Sequence, residues 1–245
     1  MGRPKLGQHF LIDDGVAARE IDYASIQDTD VVLEIGPGRG TLTELLAKAA
    51  KQVIAIEIDS KLVQDLQPRL PKNVQLIHDD AVKLDFSKLP PFNKIVANLP
   101  FQISSPITFK LLEHKFSQAV LIYQKDFADR MVASPGSKDY SRLSVGVQYK
   151  THCKILEIIP KTCFSPQPKI ESCIVELIPR NHPPFAVKDE EFFFEVTKKL
   201  FTHRRKKIKN TIEEFFGLQE NVPFAEHRVE ELSPDQIGRI SDFLL

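Results

Sequence analysis

The sequence predicts an α/β fold, a doubly wound and mostly parallel sheet followed by a small helical C-terminal domain. Three observations predict it. From about Val31 to Leu121 short β-rich runs alternate with amphipathic helical patterns, the alternation that a parallel sheet with crossover helices produces. Two later apolar runs flank the Pro-rich stretch FSPQPK and read as strands joined by a long, stiffened loop, completing one edge of the sheet. After Pro179 the stretch RNHPPF interrupts regular structure, and helical patterns continue to Leu245.

Each element follows from its local pattern. VVLEI at 31–35, QVIAIEI at 52–58, VQLIH at 74–78, KIVAN at 94–98 and AVLIY at 119–123 are the first strands. Between them TLTELLAKAA, SKLVQDLQPRL and SPITFKLLEHKF repeat apolar residues every three or four positions, as a helix with one buried face does. CKILEIIP and ESCIVELIP are the later pair of strands. The pattern therefore places one domain at 1–180 and a helical one at 181–245, without internal repeats or low-complexity segments.

Composition limits the function. The 245 residues are 42% hydrophobic, enough for one substantial core and a small appendage. Lys and Arg together number 33, as do Asp and Glu, so a polyanionic partner must be recognised by a local patch. Cys153, Cys163 and Cys173 lack the close pairing of a metal or redox site and read as reduced thiols of a cytoplasmic protein. The N-terminal segment carries no signal-peptide pattern, Leu6 stands where a myristoylation signal needs Ser or Thr, and no run approaches the ~18 apolar residues of a spanning helix. No membrane association and no metal are expected.

Glu34-Ile35-Gly36-Pro37-Gly38-Arg39-Gly40 follows a strand and opens a helix, where glycines permit a tight turn and close approach to a ligand at Gly36 and Gly38. Alone, that segment fits simple strand-to-helix geometry equally well. Glu57 changes the balance: it ends the next strand, 21 positions after Gly36, where a carboxylate reaches ribose hydroxyls. A nucleoside-bearing cofactor is the consequence. Asp80, at the end of the third strand, offers an acceptor for an adenine amino group, with Asp79 as its neighbour and rival and a turn or cap aspartate as the ordinary alternative. Pro37 removes an amide that a dinucleotide pyrophosphate would use, which disfavours NAD.

Asn98-Leu99-Pro100-Phe101 closes the fourth strand above the expected cofactor. An adenine N6 amine is a poor nucleophile because its lone pair is delocalised into the ring. Acceptors such as the Asn98 side-chain oxygen and a nearby backbone carbonyl localise that pair, Pro100 stiffens the turn, and Phe101 gives the base a face to stack on. A strand end followed by a proline turn would be the ordinary reading of the tetrapeptide in isolation.

LGQHFLID, EIGPGRGTLT, AIEID, DDA, NLPFQISSPITFKLL and CFSPQPKIES, in that order and spacing, resemble the small-subunit rRNA adenine N6,N6-dimethyltransferases of the kasugamycin-resistance group, from about Lys5 to Pro179. The resemblance implies a Rossmann-like class I methyltransferase sheet with one antiparallel edge strand. It implies that His9, Leu11, Gly36, Glu57, Asp80 and Asn98 line an S-adenosylmethionine site, and that Phe164 helps to hold the target base. It also implies two adjacent adenosines near the 3′ end of small-subunit rRNA as the target, with a role in subunit maturation. Phe101 stands where the family often has Tyr, so stacking is kept and a hydroxyl is lost.

The basic tail fits the same reading. Between Val196 and Ile212 there are seven Lys or Arg residues and no acid, and Arg204, Arg205, Lys206 and Lys207 are the candidate phosphate contacts. The expected partners are small-subunit rRNA and the assembling small subunit, met by a monomer. The competing readings are a large-subunit rRNA adenine methyltransferase, a ribosome-assembly factor with little activity, and, more distantly, an NAD dehydrogenase.

Overall fold

In the computed structural model, which describes residues 9–218 and 220–245, the chain enters through a short strand β1 (Phe10–Leu11) and helix α1 (Asp14–Ala24). Asp13 caps α1 by accepting the Val16 N–H at 3.1 Å, satisfying one of the donors a helix start leaves free. The alternation then begins: β2 (Val31–Ile35), α2 (Thr41–Ala49), β3 (Gln52–Glu57), α3 (Ser60–Leu66), β4 (Val74–His78), β5 (Lys94–Asn98), α4 (Ser104–Leu111) and β6 (Gln118–Gln124). Helices α5 (Lys125–Val132) and α6 (Arg142–Lys150) follow, then β7 (Thr151–Ile159), a short β8 (Phe164–Ser165) and β9 (Ser172–Pro179). Helices α7 (Glu190–Thr202), α8 (Ile208–Phe216) and α9 (Pro234–Leu244) complete the chain.

The main sheet has the order β4-β3-β2-β5-β6-β9-β7. Strands β4 to β6 pair in parallel and β9 runs antiparallel to β6, so the expected mostly parallel sheet is present. Its antiparallel strand lies one place in from the edge, with β7 outside it. The reason is the loop between β7 and β9: it is long enough to carry the chain around and insert β9 beside β6. Within that loop β8 pairs antiparallel with β1, Leu11 facing Phe164, a second small sheet that the sequence pattern did not announce.

The chain divides into two compact units, residues 1–128 with 152–179 and residues 129–151 with 180–245. This departs from the expected division at 180. The segment 129–151 carries Tyr140, Val145 and Tyr149, and these pack in the same cluster as Phe193, Val196, Leu200 and Ile240. Its apolar residues thus belong to the helical unit although they precede β7. The first unit is built on Val32, Val53, Val96, Val120 and Ile122 from the sheet, with Val16, Ala17, Leu42 and Leu46 from the helices. Within it the buried Tyr123 hydroxyl meets the Thr108 hydroxyl at 2.8 Å, joining β6 to α4.

Gly40 opens α2 with φ at +89°, and a Cβ there would come within 2.5 Å of the Leu66 Cδ1, whose side chain is wholly buried. Left-handed backbone and the absence of space both demand glycine. Gly40→Ala is expected to lower the unfolding free energy by about 1–3 kcal/mol in urea denaturation.

Candidate active site

The strand order reverses direction between β2 and β5, and the chain leaves their carboxyl ends toward opposite flanks. Such a switch point opens a crevice where ligands of open α/β sheets bind. The segment after β2 and the segment after β5 meet here: a Cβ on Gly36, whose φ is +73°, would stand 3.1 Å from the Pro100 ring. Gly36 N–H donates to the Ile56 carbonyl at 2.9 Å, which holds this turn against β3.

Glu57 ends β3 and is 3% exposed. Its Oε2 accepts the Gly38 N–H at 3.2 Å and its Oε1 the Asp59 N–H at 2.9 Å. The carboxylate is therefore held by backbone donors on both oxygens, each of which retains capacity for another. His9, Phe10 and Leu11 from the N-terminal strand, Leu42 from α2, and Asn98, Leu99, Pro100 and Phe101 line the same pocket with Gly36, Gly38 and Glu57. The pocket thus brings together most of the sequence-derived candidates, while Leu6, Gly7 and Gln8 of the N-terminal motif lie outside the described residues.

Asn98 is half-buried, and no hydrogen bond from another described residue engages its amide, whereas Leu99 is buried. Pro100 leads into a one-turn helix, Phe101–Ile103, closed by the Ile103 N–H to the Pro100 carbonyl at 3.0 Å. His9 stacks on Phe101 with ring centroids 5.5 Å apart, and its Nδ1 lies 2.6 Å from the Pro166 carbonyl. Because a carbonyl only accepts, Nδ1 carries the proton. One face of Phe101 is thereby covered by a ring fixed in orientation.

Two candidates are placed elsewhere. Asp80 is not among the pocket-lining residues; its Oδ1 accepts the Val82 N–H at 2.9 Å and its Oδ2 lies 3.7 Å from the Lys83 ammonium. It organises the turn after β4 at the same edge of the sheet, tied to the pocket by the Asp79 N–H donating to the Glu57 carbonyl at 3.0 Å. Phe164, the expected base-holding ring, is 1% exposed and packs with Leu11 and Val16. Its pairing across the small sheet from Leu11 turns it inward.

The basic stretch carries ion pairs of its own. Acids outside it neutralise much of its charge: Glu230 pairs with Arg204 at 2.7 Å, Glu214 with Lys206 at 3.1 Å, and Glu226 with Lys207 at 2.7 Å and Lys209 at 2.6 Å. Lys138, Thr202, His203, Arg204, Arg205, Lys206 and Glu230 line a groove of the helical unit. Lys138 and Arg205 are exposed there, and neither side chain has a carboxylate partner among the described residues.

Sequence reasoning missed Glu34. It lies in β2, is 1% exposed, lines the pocket, and its Oε2 has no hydrogen-bond partner. The signal was present: an acid inside an apolar strand of a parallel sheet must be buried. Burial pushes its carboxyl up to about 8, and the Glu57 charge adds to the rise. Glu20 on α1, fully buried with both oxygens unpartnered, is pushed well up by burial and by the Glu34 charge. Ile58, which follows Glu57, is 50% exposed.

Among the described residues no group of three or more His, Cys, Asp or Glu is placed to hold a metal, and no helix is long and apolar enough to cross a membrane. An open, mostly parallel sheet whose switch point gathers these carboxylates and the Asn98 turn has the build of a Rossmann-like methyltransferase. The chain belongs to the ribosomal RNA adenine dimethylase family, whose model matches residues 1–244. It is 44% identical to the "Probable ribosomal RNA small subunit methyltransferase A" of Methanosarcina acetivorans, over 97% of this chain and 91% of that protein. The protein of the same description from Pyrococcus furiosus is 42% identical over 99% of this chain and 92% of its own length. Among solved structures, a dimethyladenosine transferase from Plasmodium falciparum superposes with a TM-score of 0.79 at 29% identity, covering 95% of this chain and 96% of that one. The 23S rRNA methyltransferase ErmE superposes at 0.68 with 26% identity, covering 96% and 99%.

Between about pH 4.5 and about 8 the native state holds a proton on Glu34 that the unfolded chain has released. Stability therefore falls as pH rises through that window. Glu34→Gln is expected to flatten this part of the profile, read as urea midpoints across the pH range.

Proposed function

We propose that this enzyme transfers methyl groups from S-adenosylmethionine to N6 of two adjacent adenosines near the 3′ end of small-subunit rRNA, as the subunit matures. The observation that carries the reading is the convergence of Glu57, Glu34 and Asn98 on one pocket at the switch point. The relatives above, named for small-subunit rRNA at 42–44% identity, favour that substrate over the large-subunit rRNA of ErmE.

The pocket's chemistry fits the cofactor. Glu57 holds spare acceptor capacity for ribose hydroxyls, and a cationic amino group brought to the unpartnered Glu34 oxygen would favour the ionised form that burial opposes. Ile58, exposed beside the Asp80 turn, offers an apolar face for the adenine ring. S-adenosylmethionine supplies a methyl group on an electron-deficient sulfonium, already activated for displacement.

The chain's own residues then prepare the acceptor. Asn98 Oδ1 and a backbone carbonyl of the tetrapeptide accept hydrogen bonds from the target NH₂, drawing the nitrogen lone pair out of the ring's plane of conjugation and toward the pocket. Phe101, backed by His9, stacks on the extruded base and fixes its distance. As nitrogen gains the methyl it gains positive charge, which the Asn98 oxygen stabilises until the extra proton departs to water. The monomethylated amine keeps one N–H, so one of the two acceptors can still orient it for a second transfer.

In the helical unit, Lys138 and Arg205 are the groups best placed to meet phosphates, because neither must first leave a carboxylate. They supply affinity and orientation, while the accessible base supplies the choice of target.

Labelled S-adenosylmethionine incubated with undermethylated small subunits should yield labelled N6,N6-dimethyladenosine; absence of that nucleoside rejects the proposal. Asn98→Ala should cut the methylation rate by about 10²–10³-fold, as loss of one preorganised polar contact does, with cofactor affinity within a few-fold by calorimetry. Lys138→Glu combined with Arg205→Glu should raise KM for RNA about tenfold or more and reduce its salt slope by about 2, leaving cofactor affinity unchanged.

A further inference from the structure

Lys110, in the last turn of α4, points its ammonium into a ring of backbone carbonyls. Nζ donates to Ala81 O at 2.9 Å and Val82 O at 3.0 Å, and also to Leu84 O. Three carbonyls can only accept, so they use all three N–H groups of the charged form. The Phe86 ring lies 4.3 Å from Nζ and adds a cation–π contact. Burial pushes this amine below its ordinary range, while Asp85, Asp80, Glu113 and Asp79 favour keeping its proton.

The cage has a specific location. Its carbonyls belong to the turn that Asp80 opens, where the Lys83 and Leu84 N–H groups donate back to Asp80 O at 2.9 and 2.8 Å. That turn is fixed on one side to Glu57 through the Asp79 N–H. On the other side Lys110 fixes it to α4, the helix that continues directly from the Phe101–Ile103 turn. The Asp80 turn, fixed beside Glu57, is thus also tied by an ammonium to the helix that follows the Asn98–Phe101 segment.

We infer that Lys110 is a positioning residue, an ammonium tie from α4 that sets the Asp80 turn for the cofactor's adenine end. The inference rests on the reading of this pocket as the S-adenosylmethionine site. A general packing role is a poor account of these contacts, since a lysine that only covered apolar surface would direct its charge to water. Here the charge goes to main-chain oxygens instead.

The test uses the full-length protein, with cofactor and RNA titrated separately in the methyl-transfer assay. Lys110→Met, which keeps the bulk and removes the donors, should raise the KM and Kd for S-adenosylmethionine about tenfold, the scale of losing charged hydrogen bonds. The kcat at saturating cofactor should stay within about twofold, and KM for RNA should not change, because the chemistry at Asn98 is untouched. Lys110→Ala should show the same defect and recover with added n-propylammonium, which rebuilds the missing chain and charge; Lys110→Met, its cavity filled, should not recover. Amide exchange at Val82 to Leu84 should quicken in both variants. An unchanged cofactor KM, or a kcat loss that follows thermal stability without ammonium rescue, overturns the inference. If wild-type protein binds no S-adenosylmethionine, the reading of the pocket fails first.

Discussion

The constraint on which this molecule depends is the reversal of strand order at β2 and β5. Two parallel neighbours whose connections leave in opposite directions cannot cover the space between their own carboxyl ends, so a crevice is a product of topology. What the sequence adds is closeness. With no Cβ at Gly36, the Pro100 ring can approach the turn after β2, and the turns after β2 and β5 share one wall of the pocket. Glu57, held by two backbone N–H groups, hangs from the next strand into the same space.

The same place concentrates the fold's unfavourable electrostatics. Glu20 and Glu34 are buried without full hydrogen bonding, and Glu57 lies nearby with its charge. Hydrophobic packing of Val32, Val53, Val96 and their neighbours carries the unit despite that cost. A carboxyl retained at such a position is better explained by what the pocket binds than by what the core needs.

Much of this was legible in the sequence because the signals are local. The boundaries of β2, β4 and β5 coincide with the apolar runs at 31–35, 74–78 and 94–98. The Gly36 turn, Glu57 and the tetrapeptide are legible because each lies at the carboxyl end of a strand. Long-range pairing was not legible. Nothing near Phe164 announces that Leu11 will sit opposite it, and that pairing turns the ring into the core. Nor does a run free of acids reveal that Glu214, Glu226 and Glu230 will fold back onto it. Lys110 reads as one more charge on an amphipathic helix until the carbonyls of the Asp80 turn are seen around it.

The helical unit draws on two stretches of chain, 129–151 and 180–245, with β7 and β9 of the sheet encoded between them. It is therefore not a cassette appended to a finished catalytic domain. A cut at 180 would leave Tyr140, Val145 and Tyr149 without Phe193, Val196 and Ile240, an apolar stub on what remained. During synthesis the earlier stretch must wait for the last quarter of the chain before it can be buried. Loss or exchange of this unit in a lineage would then require two coordinated changes in the gene, which ties the inheritance of the helical unit to that of the sheet unit.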